Sequence, residues 1–180
     1  NVLVVDDDPG LLRLIRRALE RAGVNVLTSE NVPNAVVTLR DHPVDLLLLD
    51  LKLPDMTGQA LIDTLKAARP GVPFIIITGQ GDERVAVEMM KRGALDYLVK
   101  DTEFIELIPT RVGRALAQIA KDAKIAAAEE NWRKEHAFTT ALLNVCGALV
   151  VAFDLEGKIV RFNTACERVT GFRSEEVLGR

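Results

Sequence analysis

At 180 residues the chain is long enough for one full domain and part of a second. With 48% hydrophobic and 27% charged residues it reads as ordinarily globular. A net charge of −3 argues against a nucleic-acid surface, which usually shows a basic stripe. No apolar run approaches the roughly 20 residues that cross a bilayer, so neither nucleic acid nor membrane is expected as a partner within this chain.

Asn1 almost opens a strand, so the chain reads as a fragment, and a targeting or membrane segment outside it is left open. Cys146 and Cys166 lack metal-ligand spacing and secretory context. They read as reduced, small apolar residues of a cytosolic protein.

From the start to about Lys100 the pattern strand-then-helix recurs five times, the signature of βαβ crossovers. Val2-Leu3-Val4-Val5 runs into Asp6-Asp7-Asp8. A first helix follows Pro9-Gly10, with Leu11, Leu14, Ile15 and Ala18 on one face, Arg13, Arg16 and Arg17 on the other, and an end near Gly23. A short strand, Val24 to Thr28, leads to a second helix after Pro33 carrying Ala35, Val36 and Leu39. Leu46-Leu47-Leu48-Leu49 runs into Asp50, and a third helix begins near Gly58 with Leu61, Ile62 and Leu65 inward. Phe74-Ile75-Ile76-Ile77 runs into Thr78. A fourth helix begins at Asp82 and carries Val85, Ala86, Met89 and Met90 to Gly93. Tyr97-Leu98-Val99 then runs into Lys100. Continuous apolar runs of this length predict buried parallel strands covered by helices on both faces, a doubly wound α/β sheet.

After Lys100 the texture changes. Pro109 suits the first turn of a helix, and the sequence stays helix-forming to about Ala141, on the order of 50 Å if continuous. Two readings stand for its first half: the last helix of the first domain, or a parallel two-helix linker between identical chains. Beyond Lys121 the linker is favoured, because Ile125 and Trp132 on a lone helix need a partner. The expected organisation is a first domain over 1–120, an overlapping helical linker over 109–141, and a second, partial domain over 142–180. In the last stretch, Leu149 to Phe153 and Ile159 to Phe162 read as strands around the Asp154-Leu155-Glu156-Gly157 turn. Asn163 caps a short helix ending at Gly171, and Ser174-Glu175-Glu176 starts another.

In open α/β sheets the ligand crevice lies at the carboxyl ends of the strands. The predicted order therefore gathers Asp6, Asp7, Asp50, Thr78 and Lys100 on one edge. A carboxylate such as Asp50 can be a nucleophile toward a phosphoryl group, giving an acyl phosphate. Asp6 and Asp7 would repel the incoming anion unless a hard cation joins them, and Mg²⁺ with oxygen ligands suits that place. Lys100 supplies fixed positive charge and Thr78 a hydroxyl donor, which is what phosphoryl transfer needs. Singly each residue has a plainer reading as a turn, loop or strand-end residue. Asp8, before Pro9, reads only as a helix start.

The pieces VLVVDDDP, LLLLDLKLPDMTG, FIIITGQG and GALDYLVKD, in this order and spacing, resemble the receiver domain of two-component response regulators over residues 2 to about 120. The resemblance implies a flavodoxin-like (βα)5 sheet in which Asp50 accepts phosphate from the phosphohistidine of a histidine kinase or phosphotransfer protein. It implies Mg²⁺ held by Asp6, Asp7, Asp50 and the backbone carbonyl of Lys52, with Thr78 the switch hydroxyl and Tyr97 the aromatic that follows it. Gln80 and Lys52 flank the path of attacking water and are expected to tune the phosphate's lifetime. The family usually has proline after the lysine, joined by a cis peptide. Here Asp101 follows, and since a non-proline cis bond costs about 3–4 kcal/mol, a trans bond is expected.

The segment ALVVAFDLEGKIVRFNTACERVTGFRSEEVLGR resembles the opening of a PAS domain, to which no ligand or cofactor is assigned. The expected protein is a cytoplasmic, dimeric phosphoacceptor and not an enzyme in its own right. One alternative is a haloacid-dehalogenase-like phosphatase using Asp6 and Asp8, which leaves Asp50 without a task. Another is a structural dimerisation module with an idle acidic pocket.

Overall fold

The computed structural model describes residues 1–54, 58–79, 83–145 and 147–180. Two compact units divide the chain, Asn1–Asp122 and Ala123–Arg180. The first contains β1 (Val2–Val5), α1 (Pro9–Arg21), β2 (Val26–Ser29), α2 (Val32–Asp41), β3 (Leu46–Asp50), α3 (Gly58–Ala68), β4 (Phe74–Thr78), α4 (Glu83–Lys91) and β5 (Asp96–Val99), and then enters α5 (Phe104–Val145). All five strands pair in parallel in the order β2-β1-β3-β4-β5.

Side chains alternate across a strand, and both faces of this sheet are covered, so the central strands β1, β3 and β4 are apolar up to the Asp50 and Thr78 that end β3 and β4. Leu3, Val5, Leu47, Leu49, Phe74 and Ile76 point to one face, where Ala35 and Leu39 of α2, Leu61 and Leu65 of α3 and Met89 of α4 pack on them. Val4, Leu46, Leu48, Ile75 and Ile77 point to the other, under Leu12, Ile15 and Leu19 of α1 and Phe104, Ile108 and Val112 of α5. Each buried Val, Leu, Ile, Phe or Met side chain contributes about 1.5–3 kcal/mol. The sheet is therefore a rigid platform for whatever its carboxyl ends present.

Several element details differ from expectation. The buried face of α1 is Leu12, Ile15 and Leu19, while Leu14 is 55% exposed. Asp8 caps the helix by accepting the N–H groups of Gly10 and Leu11 at 2.7 and 3.2 Å, and positions 12, 15 and 19 then share the face that packs on the sheet. The second strand begins at Val26, because Val24 still donates to the Leu19 carbonyl at the end of α1. Helix α2 starts at Val32 with Asn31 as its cap, so Pro33 lies inside the first turn. On α4 Met89 is buried but Val85 and Met90 are exposed; the expected start at Asp82 lies outside the described residues.

The largest difference is α5, which begins at Phe104 and carries Pro109 in its interior. A proline there removes one helical hydrogen bond. Phe104, Ile108, Val112 and Ala115 nevertheless form a buried stripe at helical spacing, and their packing on the sheet sets the register. The helix runs on to Val145, four residues past the expected end. The Lys100–Asp101 peptide is trans.

The second unit holds the rest of α5, the antiparallel pair β6 (Val151–Phe153) and β7 (Ile159–Phe162), α6 (Thr164–Thr170) and α7 (Ser174–Val177). Asp154 closes the β6–β7 turn by accepting the N–H groups of Glu156 and Lys158, both at 2.9 Å. Gly171, at φ 80°, ends α6 in the left-handed region. Among the described residues of this unit only Ala165 and Cys166 are buried apolar side chains, as so few elements can enclose little core.

Asn163 does much to hold this unit together. Its Oδ1 accepts from Val150 and Cys166 at 3.1 and 3.2 Å, and its Nδ2 donates to the carbonyls of Leu143 and Ala148 at 2.7 and 2.8 Å. One buried amide thus caps the start of α6 and the end of α5 at once. Asn163→Ala is expected to cost this unit about 1–2 kcal/mol. Amide exchange reads the effect: Val150 and Cys166 should lose protection, and unchanged protection at both would contradict the assignment.

Candidate functional site

The carboxyl edge of the sheet collects the polar residues that the strands end on. β1 runs into Asp6, β3 ends in Asp50, β4 ends in Thr78, and β5 runs into Lys100. Parallel register places Val5 beside Leu49, Asp50 beside Ile77, and Thr78 beside Val99, so these ends lie level. Asp6, Asp50 and Thr78 are buried at 0%, 3% and 2% exposure, in a fold whose other interior residues are almost all apolar.

Lys100 ties the cluster together. Its Nζ lies 2.6 Å from Asp50 Oδ2 and 2.8 Å from Asp6 Oδ2. The remaining carboxylate oxygens take backbone donors: Asp50 Oδ1 accepts the Lys52 N–H, and Asp6 Oδ1 accepts the Asp8 N–H, each at 3.0 Å. Burial pushes the Asp6 carboxyl above its ordinary range, more strongly than the Lys100 and Asp8 bonds pull it down. Burial also opposes the charge on Lys100, but its bonds to Asp50 and Asp6 outweigh this and hold the ammonium above its usual value. An ionised Asp6 is therefore kept at a cost that a nearby cation offsets.

Asp7 is exposed, yet one oxygen each from Asp6, Asp7 and Asp50 lie within 4.8 Å of one another. Six-coordinate Mg²⁺ at 2.0–2.1 Å spans about 4.2 Å between opposite ligands, and it prefers carboxylate and water oxygens. These three acids fit such an ion with little movement. Lys52 stands beside them through its N–H bond to Asp50. Asp8 takes no part in this group, since its carboxylate is committed to the first turn of α1.

Thr78 donates its hydroxyl to the Gly79 carbonyl at 3.1 Å, and its own carbonyl accepts the Lys100 N–H at 2.8 Å. Tyr97 sits on β5 beside Ile76 and is 42% exposed. Gln80 and the loop residues Asp55, Met56 and Thr57 lie outside the described residues, as does Cys146. Asp6, Asp7, Asp50, Thr78, Lys52 and Lys100 thus meet at one edge, while Tyr97 lies within β5, three residues before Lys100.

Sequence reasoning left one neighbouring residue without a task. Asp101 accepts the Glu103 N–H at 3.0 Å and begins the turn into α5. An acid three residues ahead of the helix was the available signal.

Comparison with known proteins agrees with this geometry. The family model described as "Response regulator receiver domain" matches residues 2–110. The transcriptional regulatory protein ZraR of Escherichia coli is 36% identical over 117 residues, covering 65% of this chain and 26% of ZraR. The DNA-binding transcriptional regulator NtrC of Salmonella typhimurium is 32% identical over 160 residues, covering 89% of this chain and 33% of NtrC. The chain thus spans about a quarter to a third of the length of these relatives.

Among solved structures, NtrX from Brucella abortus aligns with TM-score 0.66 and 27% identity over 71% of this chain and 29% of NtrX. A receiver domain protein from Methanospirillum hungatei aligns with TM-score 0.60 and 28% identity, covering 67% of this chain and 96% of that one. Receiver domains are phosphorelay signalling modules of two-component systems, phosphorylated by histidine kinases, and they generally bind Mg²⁺ at an acidic aspartate cluster. Through residues 2–110, with its five-stranded parallel sheet and clustered aspartates, this chain belongs to the response regulator receiver domain family.

Proposed function

We propose that Asp50 is the phosphoacceptor of a Mg²⁺-dependent phosphorelay switch, and that its state is passed along α5 to the second unit. The observation that carries the reading is the meeting of two buried carboxylates, Asp6 and Asp50, on one ammonium, with Asp7 close by. A purely structural core has no reason to bury clustered charge at such desolvation cost. The donor is the phosphohistidine of a histidine kinase or phosphotransfer protein. An Asp50 oxygen attacks phosphorus, an O–P bond forms, and the N–P bond breaks with its electron pair returning to the imidazole nitrogen. Lys100 holds one phosphoryl oxygen and Thr78 donates its hydroxyl to another. Asp6, Asp7, Asp50 and the Lys52 carbonyl would hold Mg²⁺, whose charge, when bound, neutralises the clustered oxygens.

The relay assigns Thr78 and Tyr97 to the switch and α5 to the linker. Ile125, Trp132 and Leu142 are exposed along that helix, and a second copy of this chain would bury them in a parallel pair. Residues 1–120 act as the receiver, 109–141 as the overlapping linker, and 142–180 as the first part of a PAS domain. The reading places the protein in the cytoplasm, with the relatives that regulate transcription.

Two experiments test the two halves. A phosphorylated histidine donor should pass its label to the chain with Mg²⁺ and not with EDTA, and neutral hydroxylamine should release it, as expected of an acyl phosphate. Label that resists hydroxylamine would contradict acceptance at an aspartate. Beryllofluoride, an acyl-phosphate mimic, should change the dimer fraction or the exchange protection of α5 beyond Lys121. If neither changes, the relay is wrong while the acceptor assignment stands.

A further inference from the structure

Lys100 has an unusual reach to maintain. Its flexible stem leaves β5 and must hold one ammonium within 2.6 and 2.8 Å of acids that belong to two other strands. Such a stem delivers its charge reliably only if the backbone it starts from is fixed. On one side that backbone is held by the sheet, where the Lys100 N–H donates to the Thr78 carbonyl at 2.8 Å.

On the other side it is held by Asp101. The Asp101 N–H turns back to the Val99 carbonyl at 2.9 Å, closing a three-residue turn centred on Lys100. The Asp101 carboxylate then accepts the Glu103 N–H at 3.0 Å, and its carbonyl accepts the Phe104 N–H at 3.3 Å. Phe104 is buried against the sheet, which anchors the far end of this connection. One residue therefore closes the turn that presents Lys100 and opens the first turn of α5.

We propose that Asp101 is a positioning residue for Lys100: its side-chain bond to the Glu103 N–H fixes the direction in which the ammonium leaves β5 and ties that direction to the start of α5. The proposal rests on the reading of Asp50 as acceptor. When Asp50 takes a phosphoryl group, the Lys100 ammonium must shift from a carboxylate oxygen to a phosphoryl oxygen. Asp101 is the joint at which α5 feels that shift.

The test uses the whole chain and three proteins: wild type, Asp101→Ala and Asp101→Asn. Asparagine keeps the oxygen that accepts from Glu103 and drops the charge. With acetyl phosphate and Mg²⁺, labelling of Asp101→Ala should be slower by on the order of tenfold, since small displacements of a catalytic group carry costs of this kind. Asp101→Asn should label at nearly the wild-type rate. With beryllofluoride, amide exchange over residues 103–107 should change in wild type and Asp101→Asn and stay unchanged in Asp101→Ala. A merely structural turn residue would alter melting without making this response depend on the acceptor's state. Equal labelling rates for wild type and Asp101→Ala would overturn the positioning role and leave the acceptor reading intact. Equal slowing in Asp101→Ala and Asp101→Asn would overturn the hydrogen-bond mechanism. Absence of label on the wild type would overturn both.

Discussion

Lys100→Met is expected to destabilise the first unit by about 2–3 kcal/mol in metal-free buffer. Removing one partner from a buried ion pair usually costs about 3–5 kcal/mol, because the other charge stays buried and uncompensated. Here two carboxylates lose their common cation, but the lysine side chain is 27% exposed, so solvent screens part of the loss. In a thermal melt the variant should unfold roughly 10 °C below wild type. Added Mg²⁺ should recover part of that difference, since a ligand that binds the folded form stabilises it by mass action.

The pH dependence has a definite sign. The Lys100 ammonium is raised above its ordinary value of 10.5. Its contribution is therefore fully present below that value and lost as pH rises through the higher folded-state value. The gap between wild type and Lys100→Met should hold through neutral pH and narrow in strong alkali, and it should narrow in acid as well, where the raised Asp6 carboxyl takes up its proton and no longer needs the ammonium. Labelling by a small phosphodonor should fall about 100-fold in the variant, as when one preorganised electrostatic contact to the transferring group is removed. A variant that melts with wild type in EDTA would mean that the paired ammonium does not support the fold.

Asp50→Asn should abolish labelling and leave the fold intact. The amide keeps an oxygen for the Lys52 N–H, and Lys100 retains Asp6. One charge leaves a crowded acidic cluster, so the melting temperature should equal or exceed that of wild type. The amide oxygen is too weak a nucleophile to be phosphorylated. Label retained in Asp50→Asn but lost in Asp6→Asn would move the nucleophile to the end of β1. That outcome would restore the phosphatase reading, against the commitment of Asp8 to the cap of α1.

Much of this site was legible because each chemical residue directly follows an apolar run. The runs at Val2, Leu46, Phe74 and Tyr97 fix where the strands stop, and parallel pairing then brings Asp6, Asp50, Thr78 and Lys100 level. What stayed hidden depends on packing rather than pattern. The phase of α1 is one case: Leu12 and Leu14 are both leucines, and it is the packing of Leu12 with Ile15 and Leu19 on the sheet, from a start that Asp8 caps, that leaves Leu14 outside. Pro109 pointed to a helix start, but the buried stripe from Phe104 to Ala115 has a stronger claim on the register than one lost hydrogen bond. Side-chain bridges also have no signature in the one-dimensional pattern. That Lys100 touches both Asp6 and Asp50, and that Asn163 caps two helices, emerges only when residues 94, 50 and 20 positions apart meet.

The central claim is that the Asp50 carboxylate takes up a phosphoryl group when a divalent cation balances the acids around it. Intact-mass measurement after incubation with acetyl phosphate tests it most directly. One phosphoryl group should be added to wild type with Mg²⁺, with none on Asp50→Asn and none in EDTA. A folded wild-type chain whose mass does not change in the presence of Mg²⁺ would contradict it.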